Sequence, residues 1–310
     1  GLAHAMRQQA KRGRIDVVQC HWLVPQAVVA ALALRRNAPP FVITCHGSDL
    51  YGLNQRWLKA LKRFALRRAA AVTTVSEPLK GEIRSLMGES EWPERTAVVS
   101  MGVDTERFAP SRRNPDWAPS KALGRPVVLF VGRLVEGKGV SFLIQALGNP
   151  VLAQTTVCAA IVGDGPQRQA LEEQARYSGL GERIRFLGSV AHDALPEIYA
   201  SCDIFCLPAI RTARGEEEGF GLVLAEAASS GLPIVAARVR GAQGLLEDGV
   251  TGSMVAERDP VALAKALSAL ASDAGLAARF GANARQQALK YDWQAIARRY
   301  RDLLACPCEM

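Results

Sequence analysis

Gly215-Glu-Glu-Glu-Gly-Phe-Gly-Leu-Val-Leu-Ala-Glu-Ala-Ala-Ser-Ser-Gly-Leu-Pro-Ile-Val-Ala-Ala237 changes character twice along its length. A polar, glycine-punctuated loop, 215–221, runs into an apolar, alanine-rich stretch, 222–230, that reads as a helix. A Gly-Leu-Pro turn then leads to a buried strand at 233–237. A loop feeding a helix N-terminus presents backbone N–H groups without intrahelical partners to an electronegative ligand, and Gly219 and Gly221 let that backbone come close. Glu218 stands just before the helix and Glu226 about one turn inside it, so both carboxylates can address one crevice at different depths. Such a pair suits a polyhydroxylated ligand. Glu216 and Glu217 read as a solvated acidic run at a helix start. Glu226 differs, because a lone carboxylate within Leu-Val-Leu-Ala-Glu-Ala-Ala requires a partner or a ligand.

Outward from this segment, strands and helices alternate, which implies parallel sheets. On the N-terminal side the pattern places strands at 15–20, 41–45, 71–76 and 96–101, with helices at 3–12, 25–36, 55–68 and 77–87. Residues 109–126, with four prolines and no periodicity, read as a linker. A second series follows, with strands at 127–132, 156–162, 184–187, 203–207 and 234–237, and 260–305 is helical almost throughout. The organisation is a first Rossmann-like domain at 1–108, the linker at 109–126, a second Rossmann-like domain at 127–290, and a terminal helix at 291–310.

In open parallel sheets ligands bind at the carboxyl ends of strands. Gly132-Arg-Leu-Val-Glu-Gly-Lys-Gly139 occupies such an end, where Arg133 and Lys138 can clamp a diphosphate as a fork and a mobile point charge. Ile161-Val-Gly-Asp-Gly-Pro166 is a strand and a tight turn in which Gly163 brings the backbone close to a ligand. Asp164 serves either the turn or the ligand. In the first domain, Cys45-His-Gly-Ser-Asp49 puts His46 in a loop at a strand end.

Glu218-Gly-Phe-Gly-Leu-Val-Leu-Ala-Glu226 resembles the Glu-x7-Glu signature of the retaining GT-B glycosyltransferases of family 4. Gly132-Arg-Leu-x-x-x-Lys-Gly139, the Gly-x-Gly-Pro turn at 163–166, Arg185-Phe-Leu-Gly-Ser-Val190 and Val99-Ser-Met-Gly-Val-Asp-Thr-Glu-Arg-Phe108 are similar to further segments of that family. The family often has Asn where Met101 stands. The resemblance implies a GT-B α/β fold, two Rossmann-like domains with parallel sheets facing across a cleft, the last helix crossing back to the first domain. It implies that His46, Arg133, Lys138 and Glu218 act at the reaction centre. Gly132, Gly163, Val190, Gly219, Phe220, Gly221, Leu222 and Glu226 would bind the nucleotide-sugar donor, with Glu226 on the ribose and Val190 at the base edge. Family members normally begin with further strand–helix units bearing a glycine-rich loop, and none is seen here. The expectation is therefore an incomplete N-terminal domain with an exposed sheet edge.

With 310 residues, two domains of ordinary size are accommodated. No apolar run approaches the ~18 residues of a membrane span, and no secretory signal is visible at the start. The seven cysteines are scattered, and only Cys306 and Cys308 are closely spaced, which favours a reducing compartment. The expected location is the cytoplasm, with peripheral attachment to the inner face of a membrane left open. The net charge of +8 resides almost wholly in residues 1–110, at +7 against +1 for the remainder. It peaks in the helix 55–68, whose apolar stripe of Trp57, Leu58, Leu61, Phe64 and Ala65 is expected to pack on its own sheet. The basic face suits either an anionic membrane surface or a phosphate-bearing acceptor. No nucleic-acid module accompanies the charge.

The partners implied are a nucleotide sugar and a glycan or lipid-linked acceptor. No cofactor is called for, and no Asp-x-Asp metal motif occurs. Cys20-His21 and Cys45-His46 cap neighbouring strands, but adjacent residues on a strand point to opposite faces, which disfavours a zinc site built from all four. A catalytically silent nucleotide-sugar-binding module and a GT-B-like nucleotide-sugar epimerase are the alternatives.

Overall fold

The computed structural model describes residues 1–13, 15–34, 38–52, 55–88, 95–117, 126–153, 155–213, 215, 217–242 and 244–305. The chain divides into two units. The first comprises Gly1–Met101, Arg214–Phe220 and Gln294–Met310, and the second Gly102–Ala213 and Gly221–Trp293.

The first unit contains α1 (Leu2–Lys11), β1 (Val18–His21), α2 (Val28–Ala33), β2 (Phe41–Cys45), α3 (Ser48–Tyr51), α4 (Arg56–Arg68), β3 (Ala71–Thr74), α5 (Glu77–Met87) and β4 (Thr96–Val98). The strands form one parallel sheet in the order β1-β2-β3-β4. The central pair, Phe41-Val-Ile-Thr-Cys45 and Ala71-Val-Thr-Thr74, is buried at every position, as strands covered on both faces must be. Strand β1 lies at one edge, starts at Val18 rather than residue 15, and ends on His21. The helix expected from 25 to 36 begins as a wide turn, Leu23–Ala27, because Pro25 has no N–H to donate and holds Val24 extended (φ −126°, ψ 129°).

Helix α4 packs most of its expected stripe inward, with Leu61 and Phe64 half-buried. Its buried residues are Leu58, Lys62, Ala65 and Leu66, whereas Trp57 remains 64% exposed. The Lys62 ammonium joins the buried face, donating to the carbonyls of Leu50 (3.1 Å) and Gly52 (2.7 Å) at the end of α3. Carbonyls at a helix end are the ones that lack partners within the helix.

The second unit contains β5 (Val127–Val131), α6 (Val140–Leu147), α7 (Pro150–Ala153), β6 (Cys158–Val162), α8 (Arg168–Tyr177), β7 (Ile184–Gly188), α9 (Leu195–Ser201), β8 (Ile204–Leu207), α10 (Leu222–Ser229), β9 (Ile234–Ala237), β10 (Gly252–Val255), α11 (Pro260–Ser272) and α12 (Ala274–Ala288). Its sheet is parallel, in the order β10-β9-β8-β5-β6-β7. Strand order therefore reverses between β5 and β8, the position in open parallel sheets at whose carboxyl edge ligands bind. Strand β10 was not expected, being short and opened by a glycine. The helical tail is broken at Asp273, whose carboxylate accepts from Leu276 N–H to start α12.

The last helix, α13 (Trp293–Ala305), places Ile296 and Leu303 against Val42, Ala71 and Val99 of the first unit. Arg299 donates to the Val98 carbonyl (2.9 Å). Among the described residues no single helix is long and apolar enough to cross a membrane. Cys306 and Cys308 lie outside the described residues, as does most of the latter half of the linker.

Candidate active site

The candidate residues fall into two groups. In the first unit, His46 follows β2 directly and its loop is held by a buried carboxylate. Asp49 Oδ1 accepts the N–H groups of His46 (3.1 Å) and Gly47 (2.8 Å), and Oδ2 accepts that of Leu23 (2.8 Å). One side chain thus ties the segment after β1 to the segment after β2. Lys62 stands behind it; burial lowers the proton affinity of the ammonium, while the Asp49 charge works in the opposite sense. His46 Nε2 lies 2.9 Å from His21 Nδ1. Burial first, and then His21, depresses the proton affinity of His46, with Asp49 opposing them.

Glu218, Gly219 and Phe220 belong to the same unit. Glu217 and Glu218 are half-buried and Phe220 is buried, so Glu217 is not the fully solvated residue expected of it; Glu216 lies outside the described residues. Ser76 Oγ donates to the Gly219 carbonyl (3.1 Å). A Cβ on Gly219 would collide with the carbonyl oxygen of His46, and one on Gly47 would lie 3.1 Å from Gly219 Cα. The structure thus brings the His46 loop and the Glu218 segment together backbone to backbone, a fit that only glycine at 219 permits. The thiols of Cys20 and Cys45 are buried, whereas His21 and His46 face each other at the strand ends. Among the described residues no group of three or more His, Cys, Asp or Glu could hold a metal.

In the second unit, three loops are stitched together at adjoining strand ends. Gly132 N–H donates to the Val162 carbonyl (3.0 Å), Leu134 N–H to that of Asp164 (2.9 Å), and Gly163 N–H to that of Gly188 (2.8 Å). Gly163 has φ +131°, and a Cβ there would run into the Gly132 carbonyl, so any other residue would push the loops after β5 and β6 apart. Arg133 is exposed, and the Lys138 stem passes Gly132, with Cδ 3.9 Å from where a Cβ at 132 would stand. The turn Glu136–Lys138 is held against the segment after β8 by a bond from Ile210 N–H to the Gly137 carbonyl (2.9 Å). Val190 is half-buried just beyond β7. Asp164 serves the turn, accepting from Gly165 N–H (2.7 Å) and Arg168 (3.0 Å). These bonds, the backbone one foremost, hold its carboxyl below the usual range.

Helix α10 starts at Gly221, and Leu222 is exposed at its first position. One turn on, Glu226 is only 5% exposed, and its Oε2 accepts a hydrogen bond from the Tyr199 hydroxyl (2.8 Å). Burial raises the Glu226 carboxyl to about 7, with Tyr199 and then Arg107 pulling the other way. Tyr199 is fully buried, packed edge-on against Phe108 with ring centroids 5.7 Å apart. The carboxylate thus has the partner that its position required. Sequence reasoning missed Tyr199, which sits among apolar residues of α9 with no spacing that relates it to residue 226. It also missed Asp49, although an acidic residue three positions after His46 at a helix start is a signal of backbone capping.

Comparison with known proteins follows the same division of the chain. The family model for glycosyl transferases group 1 matches residues 111–287, and that for glycosyltransferase family 4 matches residues 1–107. A GDP-mannose-dependent alpha-(1-6)-phosphatidylinositol monomannoside mannosyltransferase of Mycolicibacterium smegmatis is 33% identical over 98% of this chain and 80% of its own length. A D-inositol 3-phosphate glycosyltransferase of Salinispora tropica is 32% identical over 97% of this chain and 66% of its own. Among solved structures, Anabaena HepE in complex with UDP superposes with a TM-score of 0.84 at 25% identity, covering 98% of this chain and 81% of HepE. The sheets, the matched segments and these relatives agree: the chain belongs to the glycosyl transferases group 1, the family 4 glycosyltransferases of GT-B fold.

Proposed function

We propose that this glycosyltransferase moves a hexose from a nucleoside diphosphate sugar to a hydroxyl of a glycan or lipid-linked acceptor, with retention of configuration at the anomeric carbon. The observation that carries the donor half of this reading is the construction at the switch point of the second sheet. There the loop bearing Arg133 and Lys138 is bonded to the Gly163 turn and to the segment after β8, the strand whose following segment leads to α10. In this reading Arg133 and Lys138 take the diphosphate, Glu226 takes the ribose, and Gly163 and Val190 border the base. Gly221 and Leu222 offer backbone N–H groups at the helix start, and Gly219, Phe220, Glu218 and His46 address the sugar.

In the transfer, the C1–O bond to the diphosphate breaks as the acceptor oxygen bonds C1 on the same face. The acceptor's proton passes to the departing phosphate oxygen. Two fixed cations neutralise the charge that develops there, so the step calls for no metal in this reading. A related GT-B protein has been crystallised with UDP and glucose, and the mycobacterial relative is named for GDP-mannose; both support a nucleoside diphosphate donor.

The test is transfer from a panel of nucleoside diphosphate hexoses, with the product followed by proton NMR of the anomeric signal. A product with the donor's anomeric configuration is expected. An inverted product refutes retention, and interconversion of donors without acceptor favours an epimerase instead.

A further inference from the structure

We infer that His21 is a positioning residue that commits one nitrogen of His46 and so decides what His46 can offer a ligand. The inference rests on the reading of His46 as a sugar-facing group. His21 ends β1, His46 immediately follows β2, and the parallel register pairs His21 with Thr44. That register, together with the Asp49 carboxylate joining Leu23 to His46 and Gly47, holds the two strand ends side by side. The rings then lie 5.2 Å apart between centroids, tilted by 32°, with His21 Nδ1 and His46 Nε2 at 2.9 Å.

Two imidazole nitrogens at this distance need one hydrogen between them: two lone pairs repel, and two N–H groups collide. If His21 Nδ1 carries the hydrogen, His46 accepts at Nε2 and must itself be the Nδ1–H tautomer. If His46 Nε2 carries it, His21 must be the Nε2–H tautomer. The neutral rings are therefore locked together, both Nδ1–H or both Nε2–H, and a mixed pair breaks the bond. In either state Nε2 of His46 is occupied, and Nδ1 is the nitrogen left for a sugar hydroxyl. It is a donor in the first state and an acceptor in the second. His21 is exposed, so its own Nε2 meets water in both states. His21 therefore fixes which nitrogen of His46 is left for the ligand and ties that nitrogen's polarity to its own tautomer.

The experiment is long-range proton–nitrogen correlation NMR at pH 8 on the whole protein with 15N-histidine, the four histidines being assigned by substitution. His21 and His46 should show matching tautomer populations, and His21→Ala should change those of His46. Rings in opposite tautomers, or a His46 signal unmoved by His21→Ala, would overturn the inference. In transfer assays His21→Ala should lower kcat about tenfold, the weight of one hydrogen bond, while KM for the donor stays within about twofold. His21→Asn, whose amide reaches the Nδ1 position, should recover most of that loss, and His21→Gln, which reaches the Nε2 position, should not. Equal recovery by both, or a kcat unmoved by His21→Ala, would refute the positioning role. Wild-type protein inactive with every donor would refute the proposed function, whereas the tautomer lock would still be decided by the spectra.

Discussion

Replacing Glu226 with Gln tests the buried site through stability. The Glu226 carboxyl stands at about 7 against an ordinary 4.5, because burial disfavours its charged form more than Tyr199 and Arg107 support it. Between those values the folded chain holds a proton that the unfolded chain has lost, so stability falls as pH rises through this window. Below about 4.5 Glu226 is neutral in both states and carries no penalty; above about 7 it is ionised in both and the full penalty applies. A shift of roughly 2.5 units at about 1.4 kcal/mol each makes that penalty on the order of 3 kcal/mol. Glutamine keeps an acceptor for the Tyr199 hydroxyl and cannot ionise. Urea unfolding followed by circular dichroism should therefore find Glu226→Gln close to wild type at pH 4.5 and more stable by about 3 kcal/mol at pH 8.5. A difference between the two proteins that does not change with pH would refute the reasoning.

If ionised Glu226 receives the ribose hydroxyls, affinity for a nucleoside diphosphate should improve by up to about tenfold from pH 6 to pH 8, following the ionised fraction of a group near 7. Calorimetry on Glu226→Gln should find that component gone. Gly219→Ala puts a methyl group on the His46 carbonyl, and should cost about 1–3 kcal/mol in thermal unfolding and most of the transfer rate. Lys62→Met strands the Leu50 and Gly52 carbonyls and should destabilise the fold by about 2–4 kcal/mol in the same assay. For membrane attachment through α4, Arg56→Glu with Lys59→Glu should abolish co-flotation with anionic vesicles while leaving the melting curve unchanged. Equal flotation by wild type and variant would exclude that face.

Most strands were legible because parallel strands covered on both sides read as short apolar runs, as at 41–45 and 127–131, and the glycine-flanked loops marked their carboxyl ends. Residue pairs set by tertiary packing were not legible. Tyr199 reaches Glu226 across 27 positions of chain, and nothing in either segment signals the other. Lys62 misled for a related reason: periodicity assigns a lysine to the wet face, whereas the Leu50 and Gly52 carbonyls and the nearby Asp49 charge draw it inward. The meeting of His21 with His46 depended on strand register, which motifs alone do not specify. The Glu218–Glu226 segment and the loop bearing Arg133 and Lys138 stood out in the sequence, because a loop that feeds a helix start is written in contiguous residues.

The claim on which the rest depends is that the second unit cradles a nucleoside diphosphate. Isothermal titration of the chain, without added metal, against a panel of nucleoside diphosphates and their sugars tests it most directly, with Lys138→Ala and Glu226→Ala as controls. The account predicts binding of one nucleotide class that is lost or weakened at least tenfold in both variants. Folded protein that binds none of them, or binding that survives both substitutions, would contradict it.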